Sequence, residues 1–218
     1  MLLLIVALSY IVGSIPSGYL VVKVFSGQDV RQVGSGRTGG TNAMRAAGLT
    51  AGVITAVLDT LKGAASVWLA QVLLPADMQV IGMVLAGLFA IVGHNYSIFL
   101  GFKGGAGGAP TVGAALAIWP WSFVIAVPVC MAVLFGVGYA SLATLSAAVI
   151  ITAVFAYRAY IQQASAGFIL YGMGACILLL WTLRPNLRRL LRGEERLIGW
   201  RAKRMKQAPA GETSAKGR

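Results

Sequence analysis

Residues 1–22, MLLLIVALSYIVGSIPSGYLVV, carry no charged side chain, and the first charged residue of the chain is Lys23. A membrane-spanning helix needs about 20 consecutive apolar residues. A cleaved export signal would instead show a basic leader, a shorter apolar core and a small-residue cleavage site. The stretch therefore predicts a first membrane helix over residues 2–25, with a local kink at Pro16.

The composition predicts an integral membrane protein. Of 218 residues, 58% are hydrophobic and 11% are charged, whereas soluble domains average about 25% charged residues. The 28 glycines suit helices that pack closely in lipid. Cys130 and Cys176 lie in apolar runs, so we interpret them as packing residues rather than a disulfide framework. No cofactor and no metal site is predicted.

Further apolar runs predict an all-α bundle of seven transmembrane helices within residues 1–183. The predicted helices are 2–25, 49–74, 78–99, two within 110–137, 139–157 and 165–183. The run 110–137 is divided because Trp119-Pro120-Trp121 is typical of a turn at a membrane interface. The alternative is five spans, with residues 110–137 entering the membrane without crossing it.

The distribution of lysine and arginine predicts the orientation. The net charge is +12, and eleven of the eighteen Lys and Arg residues follow residue 183. Excess Lys and Arg marks the cytoplasmic side, so the N-terminus is predicted outside and the C-terminus in the cytoplasm. Residues 184–206 are predicted to be a basic amphipathic segment on anionic lipid headgroups. Residues 207–218 are predicted to be a disordered tail, and no nucleic-acid partner is expected.

Two glycine-rich segments fall on the predicted cytoplasmic side. Residues 34–48 are GSGRTGGTNAMRAAG, and residues 101–113 are GFKGGAGGAPTVG. Glycine runs expose backbone N–H groups that favour phosphate oxygens, and arginine and lysine add cationic contacts. Together the two segments predict a site for a phosphate-bearing substrate, although neither is a Walker sequence.

Titratable residues inside the apolar runs are candidates for the same site. Asp59 and Lys62 are three residues apart on one helical face, so they form either an internal ion pair or part of the substrate site. His94, the sole histidine, is a candidate base or a hydrogen-bonding helix residue. Ser35 is either a turn residue or a hydroxyl that orients phosphate.

The order and spacing of six motifs resemble a known family. The motifs are GSIPSGYLV (13–21), GSGRTGGTNAMRAAG (34–48), DTLKG (59–63), GHNYSIFLGFKGGAGGA (93–109), GYASLA (138–143) and NLRRLLRGEE (186–195). They resemble the acyl-phosphate:glycerol-3-phosphate acyltransferase family (PlsY type). The resemblance implies a seven-helix enzyme of the bacterial inner membrane with its active site facing the cytoplasm.

The resemblance also implies the reaction and its partners. An acyl chain would pass from acyl phosphate to glycerol 3-phosphate and give lysophosphatidic acid, the first acylation step of phospholipid synthesis. No cofactor would be needed, because acyl phosphate is already activated. Membrane lipids would contact the basic tail, and association with other lipid-synthesis enzymes is a further expectation.

Residue by residue, the resemblance implies three groups of site residues. Catalytic roles fall to Ser35, His94 and Asn186. Substrate phosphate would be bound by Thr41, Asn42, Arg45, Lys103, Gly104, Gly105, Gly107 and Ser141, and we add Arg37 to this group because of its charge, not because of the resemblance. Supporting roles fall to Asp59, Lys62 and Glu195.

Several positions depart from the family pattern. Arg37 stands where the family usually has asparagine, Ala106 where it has lysine, and Leu183 where it has histidine; Pro110 replaces a small hydroxyl residue. One cation is lost at Ala106 and one is gained at Arg37, so we expect Arg37 to substitute for the missing lysine. The alternatives are a paralogue with altered or lost activity and a transporter of an anionic phosphate ester, which would need charges through the membrane depth.

Overall fold

A computed structural model describes residues 1–198. This part of the chain contains eight α-helices: α1 Leu2–Ser14, α2 Ser17–Ser26, α3 Gly40–Leu73, α4 Ala76–Asn95, α5 Gly108–Ile118, α6 Trp121–Ala132, α7 Ala140–Tyr160 and α8 Gly167–Leu191. Short turns at Val30–Gln32, Ile98–Leu100 and Val133–Val137 lie between them. The described residues include no β-strand, which agrees with the predicted all-α class.

Among residues 1–198, five helical stretches are long and apolar enough to cross a membrane: Leu2–Ser26, Gly40–Leu73, Ala76–Leu100, Ala140–Tyr160 and Gly167–Leu191. Two shorter apolar stretches, Gly108–Ile118 and Trp121–Val137, form a hairpin around the predicted turn. The 11 residues of α5 rise about 16 Å, roughly half the thickness of a bilayer's hydrocarbon core. The integral membrane bundle predicted from the sequence is therefore confirmed, with a short helical pair inside it.

The first membrane helix breaks completely at Ile15 and Pro16, where the sequence predicts a kink. The break frees backbone carbonyls that must find partners inside the membrane. Lys62 of α3 donates from Nζ to the Ile15 carbonyl at 2.9 Å, and the Ser97 hydroxyl donates to the Ser14 carbonyl at 2.6 Å. These bonds tie the break to α3 and to the end of α4.

Helix α3 is also interrupted near its start. Ala47 (φ −139°) and Gly48 (φ 87°) are not helical, and the positive φ suits a residue without a Cβ. Residues 49–73 match the predicted second membrane helix. Residues 40–46 form a separate helical turn within the first glycine segment, and this turn faces a cavity described below.

Helix α8 continues past the predicted end at residue 183 to Leu191, so that boundary is wrong. Pro185 cannot donate a hydrogen bond to the carbonyl of Trp181. Arg184 replaces the missing donor: its Nε donates to that carbonyl at 2.9 Å, and its guanidinium carbon lies 3.3 Å from the centre of the Trp181 ring. The helix can therefore run through the proline.

After α8 the chain turns at Gly193 (φ 71°) and returns to the start of α7. The Ile198 N–H donates to the Gly138 carbonyl at 2.9 Å, and Ile198 is buried. Within the segment predicted to lie on the headgroup layer, Ile198 thus packs against protein, whereas Leu191 is 88% exposed. The surface location of residues 184–206 stays a prediction. Residues 199–206 and the tail 207–218 lie outside the described residues.

Helices α3 and α5 approach each other closely enough to place the start of α5 beside the middle of α3. A Cβ on Gly63 would overlap the backbone of Pro110, and a Cβ on Gly113 would overlap the backbone of Thr60. Small residues permit such contacts in membrane bundles. The buried hydroxyl of Tyr171 on α8 donates to the Thr111 carbonyl at 2.7 Å, which fixes the other side of α5.

Candidate active site

A cavity of about 740 Å³ lies between the first glycine segment, the N-terminal halves of α5 and α7, helix α6 and the end of α8. Its polar lining comes from the glycine segment and from residues 186–196. Its apolar lining comes from side chains of α3, α5, α6 and the turn after α6, namely Val53, Val57, Leu116, Phe123, Val127, Met131 and Leu134. A cavity with one polar and one apolar part suits an amphipathic ligand.

Three helix N-termini line this cavity: Gly40 and Thr41 of α3, Gly108 of α5 and Ser141 of α7. No side chain caps any of the three helices. The first N–H groups of an α-helix have no partner within the helix, and they carry partial positive charge. Their convergence makes the polar part of the cavity suitable for phosphate.

Arg45 and Thr41 line the cavity beside these termini. Arg45 is half-buried and forms no ion pair within residues 1–198. Its guanidinium is therefore available to an anion. Ser35 also lines the cavity, and its hydroxyl accepts a hydrogen bond from the Arg37 N–H at 3.4 Å.

Asn42 holds the first glycine segment in shape. Its Oδ1 accepts from the Ser35 N–H at 3.1 Å, and its Nδ2 donates to the carbonyls of Val30, Val33 and Arg37 at 3.0, 2.8 and 2.8 Å. The side chain is buried, and its donors and acceptor are used within the segment. Its predicted contact with phosphate is therefore replaced by a positioning role.

Arg37 crosses from the first glycine segment to two other parts of the chain. Its Nη1 donates to the Gly105 carbonyl at 3.1 Å, and its Nη2 donates to the Thr182 carbonyl at 2.5 Å. Burial lowers the pKa of this guanidinium, and the positive charge of Arg189 lowers it further. The two carbonyls directly precede the departures at positions 106 and 183, so the three departures lie together around one guanidinium.

The second glycine segment closes the end of α4. The N–H groups of Gly104 and Gly105 donate to the carbonyls of Asn95 and His94 at 3.1 and 2.9 Å. The prediction that these two glycines offer their N–H groups to phosphate is therefore wrong, because the last carbonyls of a helix need donors. Lys103 is exposed and lies outside the cavity lining, whereas Gly107 lines it.

Asp59, Lys62 and His94 form a buried cluster beside the cavity. Asp59 Oδ1 lies 2.9 Å from Lys62 Nζ and 3.5 Å from His94 Nδ1, which confirms the predicted ion pair. A Cβ on Gly105 would overlap Nε2 of His94, so the ring is confined on both edges. Asp59 and His94 line the cavity; Lys62 lies behind them.

Ser141, Asn186 and Glu195 form a second buried polar group in the lining. Asn186 Nδ2 donates to Glu195 Oε1 at 2.9 Å. Within residues 1–198, Ser141 Oγ, Asn186 Oδ1 and Glu195 Oε2 have no hydrogen-bond partner. Buried polar atoms normally have partners, so these three are available to a ligand.

Two charged residues of the cavity lining are missing from the predicted site: Arg189 and Arg196. The sequence assigns both to the headgroup layer together with the other tail arginines. Apolar residues continue at helical spacing beyond residue 183, and this pattern could have placed Arg189 on the same helix as Leu183 and Asn186. Among residues 1–198, no group of three or more His, Cys, Asp and Glu side chains is placed to hold a metal ion.

The sequence model of the glycerol-3-phosphate acyltransferase family matches residues 3–193. The chain belongs to this family. A relative from Moorella thermoacetica, glycerol-3-phosphate acyltransferase 2, is 37% identical over 93% of the chain and 100% of the relative. The Listeria monocytogenes glycerol-3-phosphate acyltransferase is 37% identical over 91% of the chain and 98% of that protein.

The fold is also similar to a solved structure of the family. The glycerol 3-phosphate form of PlsY (YgiH), an integral membrane glycerol 3-phosphate acyltransferase, is 30% identical with a TM-score of 0.76, covering 91% of this chain and 96% of that one. The lysophosphatidic acid form gives 28% identity and a TM-score of 0.75, covering 91% and 95% of the two chains. The chain is therefore a multi-pass membrane protein of the acyltransferase class.

Proposed function

We propose that the chain transfers an acyl group from an acyl phosphate to glycerol 3-phosphate and releases lysophosphatidic acid and inorganic phosphate. The family supports acylation of glycerol 3-phosphate. The observation that carries the proposal is the cavity, where three uncapped helix N-termini and Arg45 adjoin an apolar lining. The polar part suits phosphate, and the apolar part suits the acyl chain.

The reaction needs a positioned hydroxyl and a stabilised leaving group. A glycerol hydroxyl oxygen attacks the acyl carbonyl carbon, a new ester C–O bond forms, and the C–O bond to phosphate breaks. The hydroxyl proton passes either to His94 Nε2 or to a phosphate oxygen of a substrate. Because acyl phosphate is already activated, holding the two substrates in contact supplies much of the rate.

The side chains divide these tasks. Arg45 and Thr41, with the start of α3, bind phosphate, and Ser35 orients it. Asn186 Oδ1 and Glu195 Oε2 accept hydrogen bonds from glycerol hydroxyls, because both are buried acceptors without a partner in the described chain. Gly107 and Ser141 contribute the N-termini of α5 and α7. Asp59 and Lys62 keep His94 in place.

The orientation is part of the proposal. Seven membrane segments lie in the bacterial inner membrane, with α1 and α2 counted as one segment and α5 and α6 as a short pair. The N-terminus lies outside, and the cavity opens to the cytoplasm. A hairpin returns to the side it starts from, so five full spans give the same orientation. Exposed Lys103 and the exposed arginines at the end of α8 would contact anionic headgroups.

Labelling of single cysteines in whole cells tests this orientation. Gln28 and Gln163 are exposed and belong to opposite sides. In a variant that lacks Cys130 and Cys176, a membrane-impermeant maleimide should label Gln163→Cys and leave Gln28→Cys unlabelled. Labelling of both positions from outside would contradict the topology.

A purified-protein assay tests the reaction. Full-length protein in detergent should form lysophosphatidic acid from glycerol 3-phosphate and palmitoyl phosphate, measured by mass spectrometry, but not from palmitoyl-CoA. Arg45→Ala should raise the KM for glycerol 3-phosphate about tenfold to a hundredfold through loss of a charge-assisted contact. Arg192→Ala is the control, because Arg192 is exposed outside the cavity. Product from palmitoyl-CoA alone would show that the proposed donor is wrong.

A further inference from the structure

One face of α8 reaches the cavity and ends in an arginine. Leu183 and Asn186 are buried, and Arg189 follows at the same helical spacing of three residues. Residues three and four apart share one helical face, and all three line the cavity. Arg189 therefore lies at the cavity, although the arginines that neighbour it in the sequence do not.

The neighbouring arginines have other surroundings. Arg188 and Arg192 are exposed, whereas Arg189 is half-buried. Arg184 is bound to the carbonyl and ring of Trp181. None of these three neighbours lines the cavity. Their positions suit the headgroup layer, and that of Arg189 does not.

The cavity has an excess of positive charge near Arg189. Four arginines line it, at positions 37, 45, 189 and 196, against the carboxylates of Asp59 and Glu195. Asp59 is already paired with Lys62. Like charges brought together away from water destabilise a fold unless an opposite charge lies between them. An anionic ligand supplies that charge.

The four arginines are not equally available. Arg37 uses Nη1 and Nη2 on backbone carbonyls. Arg189, like Arg45, forms no ion pair within residues 1–198. A guanidinium with free donors at a cavity wall can bind phosphate through two parallel hydrogen bonds. Arg45 offers this geometry from the glycine segment, and Arg189 offers it from α8.

We propose that Arg189 is a second phosphate-binding residue of this site, acting from α8 while Arg45 acts from the first glycine segment. The inference rests on the proposed function and extends it to a residue outside the predicted site. Both proposed substrates carry a phosphate group, and the experiment identifies which of the two Arg189 contacts.

Kinetics of Arg189→Gln and Arg188→Gln in purified full-length protein test the proposal. The two substitutions remove the same charge from adjacent positions, and only one of them faces the cavity. Arg189→Gln should raise the KM for glycerol 3-phosphate or for palmitoyl phosphate about tenfold to a hundredfold. Arg188→Gln should change both constants less than about twofold, because exposed charges contribute little. Equal effects of the two substitutions would overturn the proposal.

The kinetics of Arg189→Lys and the binding of inorganic phosphate decide the role of Arg189 even if Arg189→Gln does not fold or the proposed donor is wrong. Lysine keeps the charge without the two-pronged geometry, so Arg189→Lys should recover part of the lost affinity. If Arg189→Gln does not yield folded protein, Arg189→Lys compared with Arg188→Lys replaces it, with a several-fold rise in KM for the former alone. If the wild-type protein makes no product from palmitoyl phosphate, the proposed donor is wrong. Binding of inorganic phosphate then decides the role of Arg189: weaker binding in the Arg189 variant alone supports it, and equal binding refutes it.

Discussion

The carboxylate of Asp59, near the middle of α3, lies 3.5 Å from Nδ1 of His94, in the last turn of α4. This placement favours the imidazole tautomer with its proton on Nδ1, because that N–H then points at the carboxylate. The other nitrogen, Nε2, is left beside Gly105 and the cavity. Asp59 thus sets which nitrogen of His94 is available to a substrate.

Removal of Asp59 should destabilise the bundle strongly. Asp59→Ala leaves the buried ammonium of Lys62 without its partner, and breaking a buried pair from one side costs about 3–5 kcal/mol. Thermal unfolding in detergent should show this loss, and Asp59→Ala combined with Lys62→Met should recover much of it. Asp77→Ala is the control, since Asp77 is exposed and should change stability by less than about 0.5 kcal/mol. Equal unfolding midpoints for the two single variants would contradict the prediction.

A methyl group at Gly105 should lower kcat by displacing His94. The added Cβ would overlap Nε2 of His94, so the ring must move from its position beside Asp59. Misplacement of a positioned group by about 1 Å can cost about a hundredfold in rate. Gly136→Ala is the control, because no atom lies within 4 Å of a Cβ built there. If Gly105→Ala keeps the wild-type kcat, the position of His94 does not matter to the reaction.

The membrane helices could be predicted from the lengths of the apolar runs, because a helix that crosses the lipid must be apolar over its whole length. The breaks at Pro16 and at Trp119-Pro120-Trp121 were also predictable, since proline interrupts helical hydrogen bonding. The end of α8 could not be predicted in this way. Pro185 is compensated by Arg184, and a side chain that restores a missing hydrogen bond leaves no signal in hydrophobicity.

Replacement of Asn42 by aspartate should disorder the first glycine segment. Aspartate keeps an acceptor for the Ser35 N–H but offers no donor to the carbonyls of Val30, Val33 and Arg37. Each buried acceptor left without a partner costs about 1–3 kcal/mol. We expect a lower unfolding midpoint and a loss of activity that saturating glycerol 3-phosphate does not restore. Gln32→Glu, at an exposed position just before this segment, is the control. If saturating glycerol 3-phosphate fully restores the activity of Asn42→Asp, Asn42 binds the substrate directly.

Several residues chosen by type from the sequence do line the cavity, among them Arg45, His94 and Gly107. Their individual roles could not be predicted. The N–H groups of Gly104 and Gly105 donate to carbonyls at the end of α4, and Asn42 binds backbone groups of residues 30–37. Lys103 is exposed and lies outside the cavity lining. The role of each residue depends on which hydrogen-bond partner lies near it in the folded chain, and the sequence motif does not give those distances.

Arg37 donates a hydrogen bond to the Gly105 carbonyl, and Ala106 is the residue that follows this carbonyl. Arg37→Asn removes one cavity cation and the two bonds that join the glycine segments to α8. We expect a large loss of kcat/KM. Adding Ala106→Lys restores a cation at a neighbouring point of the lining, so activity should return in part. The bonds to Gly105 and Thr182 stay absent, so stability should not recover.

A double-mutant cycle measures this compensation. Groups that share one ligand couple by about 0.5–3 kcal/mol, so Ala106→Lys should help Arg37→Asn far more than it helps the wild-type chain. Arg37→Lys separates charge from geometry, since a lysine keeps the charge but cannot bind both carbonyls in parallel; it should retain phosphate affinity better than stability. If the effects of Arg37→Asn and Ala106→Lys are strictly additive, the two positions do not act on one phosphate. Arg37 would then serve only to hold the two glycine segments and α8 together.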